Sequence, residues 1–382
     1  MYRLNDLDFM REALRLAGEG TGLASPNPRV GAVVVRDGQI VGRGTHWYDR
    51  KDHAEALALA EAGERARGAT LYLNLEPCCH FGRTPPCVQA IVAAGVARVV
   101  AGMRDPNPQV AGEGFRQLQA AGIAVESDCL GREARQLNED FSTWIRHGRP
   151  FVTLKAAVSL DGRIAAPAVE ATPAASPPLG PEPGPAERRW ISSTPSRERV
   201  QQMRHQSDAV LTGIGTLRAD DPLLTDRTKR PRRRPLLRVV LDSHLRLPVG
   251  AQLLKAARRH HDVLVFCVQG EPERQAALEK AGARVERVAA DALGRVDLEE
   301  VLRRLGGEAI TSILLEAGAQ LNGAMLAGGW VDKLVLFQAP RLLGAGGVAL
   351  TAGGAALPRH PQGALACESV GPDVMITSYL AE

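Results

Sequence analysis

The stretch Glu76–Cys87, EPCCHFGRTPPC, packs three cysteines and a histidine into twelve residues of a chain with only six cysteines. The six are too unevenly clustered for a disulfide framework, so metal binding or catalysis is the natural reading. Upstream stands His53-Ala54-Glu55. A zinc-dependent deaminase needs three protein ligands, an open fourth position for water, and a nearby carboxylate that moves protons without ligating. H-x-E followed by P-C and a later Cys has that form. His53 would supply an imidazole at a helix start, with Glu55 in the same first turn. A second helix start would supply thiolates, favoured there by free N–H groups and the helix dipole. Taken singly, a histidine or cysteine is more often a core or surface residue. A purely structural zinc would more naturally take four protein ligands and would have no use for Glu55. Which of Cys78, Cys79, His80 and Cys87 join His53 stays open on residue types alone.

The elements that must position these groups alternate. Asp6 can cap a helix running to about Ala17. VGAVVV (Val30 to Val35) and IVGRGTH (Ile40 to His46), joined at Asp37-Gly38, read as a β-hairpin. Ala54 to Ala66 is a strong helix former ended by Gly68. Thr70 to Leu75 reads as a strand and Pro86 to Gly95 as a helix with proline near its start. A further strand, ARVVAGM, and helix, GFRQLQAAG, follow, which implies a sheet flanked by helices. The chain restarts around His147 to Pro150, giving expected domains 1–147 and 148–382. FVTLKAAVS opens the second, and DAVLTGI, LLRVVLDS, DVLVFCV, SILLEAG and KLVLFQAP read as further buried strands. The Pro/Ala/Gly-rich stretch 167–187 has no apolar periodicity and is expected to be a mobile loop.

Eight residues separate Cys78 from Cys87, more than in the common P-C-x-x-C form. Glu76-Pro77-Cys78, His80 and Gly82-Arg83-Thr84-Pro85-Pro86-Cys87 resemble the EPCxHxGRTPPC signature of bifunctional riboflavin-biosynthesis deaminase/reductases. Asn27-Pro28-Arg29-Val30-Gly31-Ala32 and Gly42-x-Gly44-x-His46 resemble two more of that family's motifs. The resemblance implies an α/β chain with an N-terminal cytidine-deaminase-like domain. In it His53, Cys78 and Cys87 would bind Zn2+ and Glu55 would be the catalytic proton shuttle. Cys79 falls where the signature tolerates any residue. Asn27, His46 and His80 would face the substrate, a phosphoribosylaminopyrimidine. Arg83 would meet its phosphate, the alternative being a solvated loop arginine. Tyr48-Asp49-Arg50-Lys51-Asp52 replaces the Ala-Gly-x-x segment usual in the family, which alters the pocket rim.

No G-x-G-x-x-G follows the first strand of the second half, so composition alone does not reveal a reductase. The resemblance does, through Leu154 to Arg163, Trp190-Ile191-Ser192, Gly215 to Thr225, Leu241-Asp242-Ser243 and Leu315 to Ala324. It implies a C-terminal dihydrofolate-reductase-like domain that uses NADPH to reduce the ribosyl group to ribityl. Carried over by position, the nucleotide contacts are Ala157, Trp190, Thr216, Asp220, Ser243 and the segment Gly318-Ala319-Gln320-Leu321-Asn322-Gly323-Ala324. Arg246 with Ser243 would face the extra phosphate. Substrate contacts would be Lys155, Arg204, Leu224, Arg227 and Glu316, the arginines suiting a sugar phosphate. Lys155 and Asp220 are also candidate positioning groups or proton relays. Asp220 has a structural alternative as a turn cap. Arg188 stands where the family carries a substrate-contacting serine.

Composition limits the partners. The 45 % apolar content fits buried cores, and a net charge of +4 is too small to imply nucleic acid or a membrane surface. No secretory signal or spanning run is visible, so a cytoplasmic enzyme is expected. The run Thr228–Arg234, TKRPRRR, could attract RNA or an anionic substrate but reads first as a solvated loop, since it lacks interleaved aromatics. A nucleic-acid-editing deaminase with a C-terminal binding module is the rival reading, and a zinc-stabilised scaffold a third. A homo-oligomer is implied by the resemblance alone.

Overall fold

The computed structural model describes residues 5–82, 84–166, 190–257, 261–353 and 361–380. Arg83, Arg188 and the segment 167–187 lie outside the described residues. The chain divides into two compact units. The first takes Met1–Pro150 together with Arg230–Arg234 and Leu305–Thr311, and the second takes the remainder.

The first unit holds a five-stranded sheet of β1 (Gly31–Arg36), β2 (Gln39–Thr45), β3 (Thr70–Leu73), β4 (Arg98–Ala101) and β5 (Ala124–Glu126), in the order β2-β1-β3-β4-β5. β1 runs antiparallel to both β2 and β3, and β3, β4 and β5 run parallel. Asp37 and Gly38, with φ of 50° and 74°, make the left-handed turn that a two-residue hairpin needs. The glycines of Gly42-x-Gly44 have a packing cause. A Cβ at Gly44 would lie 1.9 Å from the Ala54 carbonyl oxygen, and one at Gly42 2.0 Å from that of Ala58. Helix Ala54–Ala62 therefore lies directly on β2, with Ala54, Ala58 and Ala62 buried at a spacing of four. That contact sets where His53 and Glu55 emerge.

The second unit has a nine-stranded sheet. Its strands are β6 (Phe151–Val158), β8 (Ala209–Gly213), β9 (Leu237–Leu241), β10 (Val263–Cys267), β11 (Ala283–Arg287), β12 (Ser312–Leu315), β13 (Lys333–Gln338), β15 (Pro361–Val370) and β16 (Asp373–Leu380). A short pair, β7 (Arg163–Ala165) with β14 (Val348–Ala349), stands apart. The order is β11-β10-β9-β8-β12-β6-β13-β16-β15, parallel from β11 to β13 and closed by the antiparallel β16 and β15. The six strands expected from apolar runs are present. The terminal hairpin and β11 were not legible, because edge strands bury little and carry no continuous apolar run. The run Thr228–Arg234 differs from a freely solvated loop: Arg232, Arg233 and Arg234 are half-buried, and Arg234 donates to Ser25 Oγ at 3.2 Å.

Candidate active sites

His53 is the residue preceding helix Ala54–Ala62, and Cys87 opens helix Cys87–Ala93. Cys78 lies on the loop after β3. One ligand atom from each of His53, Cys78 and Cys87 falls within 4.8 Å of the others. His53 Nδ1 is 3.1 Å from Cys87 Sγ and 3.4 Å from Cys78 Sγ. Its other ring nitrogen, Nε2, is 3.2 Å from Thr84 Oγ1, which fixes the ring so that Nδ1 faces the thiols. Hydrogen bonds from Cys87, then His53, pull the Cys78 thiol down to about 4. The same shared proton, with burial, pushes the Cys87 thiol up. One imidazole and two adjacent thiols, one of them biased toward its thiolate, are a donor set that fits zinc and leaves a fourth position open. Cys79 is outside this group; its side chain packs against the apolar core of the unit.

Glu55 is buried, at 4 % exposure, in the first turn beside His53. Burial, reinforced by the Cys78 charge, raises its carboxyl above the ordinary value. A carboxyl so placed holds a proton at a pH where an exposed one would not.

These residues open on a cavity of about 290 Å³. Asn27, His46 and His80 line it. His46 Nδ1 lies 2.9 Å from the Asp52 carbonyl, which only accepts, so Nδ1 carries the proton and Nε2 accepts from Asn27 Nδ2 at 3.0 Å. Five lining residues were missed: Asp105, Asn107, Phe141, Trp144 and Ile145. Phe141, Trp144 and Ile145 sit at i, i+3 and i+4 of helix Glu139–His147, a spacing that could have been read as an apolar face. Asp105 stands beyond the end of β4; burial, then the Glu76 charge, lifts its carboxyl to about 6. Glu76 accepts from the backbone N–H groups of Asp105, Gly112 and Phe115, at 3.0, 2.9 and 3.2 Å, so it shapes that loop.

In the second unit Glu316, just beyond β12, is the centre of a buried cation cluster. Arg204 grips it through two of its three nitrogens, Nε at 2.6 Å and Nη2 at 3.0 Å, and Lys155 Nζ lies 3.4 Å away. Burial opposes ionisation, yet the Arg204 and Lys155 charges hold the Glu316 carboxyl down at about 2. Arg204 also donates to the Thr225 carbonyl at 3.1 Å, and His205 pairs with Asp226 at 2.9 Å, tying the Leu224–Arg227 segment to helix Thr194–Gln206. The His205–Asp226 pair had no motif to announce it. Leu224, with φ of 52°, buries its side chain in the core, whereas Arg227 is exposed.

Thr216, Ser243 and Gly318 follow the carboxyl ends of β8, β9 and β12, where ligands of parallel sheets bind. Ala157 lies on β6, and Trp190 is half exposed with Arg197 5.4 Å over its ring. Ser243 Oγ accepts from the Val296 N–H at 3.2 Å. Arg246 lies 3.5 Å from Asp242. Asp220 is the exposed last residue of helix Ile214–Asp220, and its neighbour Asp221 accepts from the Gln252 N–H at 2.9 Å. In Gly318–Ala324 Gln320 is exposed and Gly318, Leu321 and Ala324 are half-buried, whereas Ala319, Asn322 and Gly323 are buried.

Residues 4–103 match the cytidine and deoxycytidylate deaminase zinc-binding region, and residues 150–375 match the RibD C-terminal domain. The riboflavin biosynthesis protein RibD of Escherichia coli K12 is 40 % identical, over 98 % of this chain and 99 % of that protein. The chain belongs to the RibD family. RibD of Aquifex aeolicus is 39 % identical over 91 % of the chain and 90 % of that protein. The solved structure of Acinetobacter baumannii RibD matches with a TM-score of 0.81 at 35 % identity, covering 99 % of both chains. A Thermotoga maritima deaminase/reductase matches with a TM-score of 0.79 at 32 % identity, over 98 % of this chain and 99 % of that one. The chain is thus a bifunctional RibD deaminase and reductase of riboflavin biosynthesis, with a zinc-binding deaminase domain. The nucleic-acid-editing alternative is not favoured, since residues 150–375 match the RibD C-terminal domain. Among the described residues no helix is long and apolar enough to cross a membrane.

Proposed function

We propose that the first unit hydrolyses 2,5-diamino-6-(5-phosphoribosylamino)pyrimidin-4-one to the corresponding uracil and ammonia, with zinc held by His53, Cys78 and Cys87. The observation that carries the reading is the three ligand atoms within 4.8 Å, with the buried Glu55 in the first turn after His53 and outside the ligand set. Zinc in such a site supplies the Lewis acidity that makes water nucleophilic near neutral pH. Glu55 takes the proton from the attacking water and delivers it to the amine that leaves as ammonia. His46 and Asn27 orient the pyrimidine, Phe141 and Trp144 exclude water from its face, and His80 and Arg83 meet the ribose phosphate end.

The second unit then reduces the ribosyl group to ribityl with NADPH. The cofactor supplies the hydride and the protein the alignment. Ala157, Trp190, Thr216, Asp220, Ser243 and Gly318 to Ala324 hold the nucleotide. Arg204 and Arg227 meet the sugar phosphate, Leu224 and Glu316 contact the rest of the substrate, and Lys155 or Asp220 delivers the proton that accompanies the hydride. The enzyme works on a small molecule in the cytoplasm, as a homo-oligomer.

Glu55→Gln keeps the shape of the side chain and removes its proton transfer. Zinc content should stay at the wild-type level while ammonia release falls to background. Full deaminase activity in that variant would sink the mechanism. A coupled assay that follows ammonia and NADPH together tests the order of steps, because NADPH should be consumed only with the deaminated pyrimidine.

A further inference from the structure

Arg233 lies 208 residues from Ser25 in sequence, yet both belong to the first unit. Its backbone N–H donates to the Gly22 carbonyl at 2.8 Å, and its Nε donates to the Ser25 carbonyl at 3.1 Å. Its guanidinium lies over the Tyr48 ring, 4.0 Å from the centroid. Tyr48 in turn donates its backbone N–H to the Leu23 carbonyl at 3.1 Å. Gly22 and Ser25 precede Asn27, and Tyr48 stands two residues after His46. Arg233 thus touches the outer side of two segments whose inner residues, Asn27 and His46, meet in the cavity at 3.0 Å. A planar guanidinium can give an N–H to a carbonyl in its own plane while its face covers a ring. A lysine ammonium has no plane and cannot make both contacts in this geometry.

We propose that Arg233 is a positioning residue of the deamination step. It clamps the Gly22–Asn27 segment to the His46–Tyr48 turn, and so sets the Asn27–His46 pair that orients the pyrimidine. Arg233 touches neither substrate nor metal ligand, so its loss acts on substrate placement and leaves zinc and the second active site alone. The inference rests on the reading that Asn27 and His46 face the pyrimidine.

The test uses the full chain and measures KM and kcat for ammonia release, zinc content, and NADPH oxidation with the deaminated pyrimidine. Arg233→Ala should raise the deaminase KM roughly tenfold or more, because small displacements of orienting groups cost that much in rate or binding. Zinc content and NADPH oxidation should be unchanged. Arg233→Lys, which keeps a cation over the ring and loses the fork, should fall between the two. Tyr48→Leu removes only the ring and should raise KM in the same direction, which keeps the idea testable should Arg233→Ala fail to fold. A wild-type KM in both Arg233→Ala and Tyr48→Leu overturns the proposal, as does a loss of zinc and both activities together in Tyr48→Leu. Asn27→Ala separates the two levels. If it is impaired while Arg233→Ala and Tyr48→Leu are both normal, only the clamp is wrong; if it is itself normal, the pocket reading fails and the clamp with it.

Discussion

Asn27 Nδ2 donates to His46 Nε2 across 3.0 Å, and this bond, opposite the Asp52 carbonyl on Nδ1, leaves the imidazole one allowed neutral tautomer. His46 is only 3 % exposed, so bulk solvent reaches the ring little. Asn27→Asp places an acceptor where a donor is needed and favours the imidazolium. Deaminase kcat/KM should fall at least about tenfold, in keeping with one mis-set hydrogen bond of about 1–3 kcal/mol. Zinc content, measured by metal analysis, should not change.

The thiols separate into two roles. Cys79 packs against the core and stands outside the ligand group, so Cys79→Ser should retain zinc and ammonia release. Cys87 is 3 % exposed and within 3.1 Å of His53 Nδ1, and Cys87→Ser should lose both. A zinc chelator applied to the wild-type enzyme should abolish ammonia release and spare NADPH oxidation with the deaminated pyrimidine. Loss of both activities would mean that the metal also supports the second unit.

How much of this was readable beforehand follows a physical line. His53, Glu55 and the cysteine cluster lie close in sequence and start or follow strongly patterned elements, so together they announce a metal site, while the choice of Cys78 and Cys87 as ligands came from the family resemblance. Gly42 and Gly44 likewise mark a close helix–strand approach that residue type can signal. Asp105, Phe141, Trp144 and Ile145 reach the same cavity from elements that carry no chemical motif. Their role is set by where the sheet and the helix Glu139–His147 end, which is tertiary information. Thr84 and the Asp52 carbonyl steer the two histidines through atoms that any neighbouring residue might offer. Arg233 reads as solvated because an arginine's role depends on what lies opposite its long stem, and Tyr48 is far away in sequence.

Glu316 gives the second unit an acid-sensitive anchor. Its folded pKa, about 2, is below the ordinary carboxylate value of 4.5. A depressed pKa contributes stability that is present above the unfolded value and lost as pH falls from about 4.5 toward 2. The contribution is on the order of 3 kcal/mol. Thermal unfolding of wild-type protein should therefore steepen in pH dependence below about 4.5, and Glu316→Gln should flatten that limb. At pH 7 the same variant leaves Arg204 and Lys155 without their anion. It should lose stability by about 3–5 kcal/mol and nearly all NADPH oxidation, while deamination persists. A pH profile unchanged by Glu316→Gln would assign the acid limb elsewhere.

Gly323 tests whether the Gly318–Ala324 helix start is held by packing from behind. A Cβ there would lie 2.3 Å from the Ala352 carbonyl oxygen. That strand of chain is already fixed, because the Ala352 N–H donates to the Ala319 carbonyl at 2.9 Å and Asn322 Nδ2 donates to the Leu350 carbonyl at 3.1 Å. The obstacle is backbone, so it cannot swing aside as a side chain would. Gly323→Ala should cost about 1–3 kcal/mol, a Tm drop of several degrees for a unit of this size. The displaced helix start carries Gly318, Gln320 and Leu321 with it, so the KM for NADPH should rise more than the KM for the pyrimidine. Equal effects on both would show that the substitution loosens the whole unit and that the segment has no special bearing on the nucleotide.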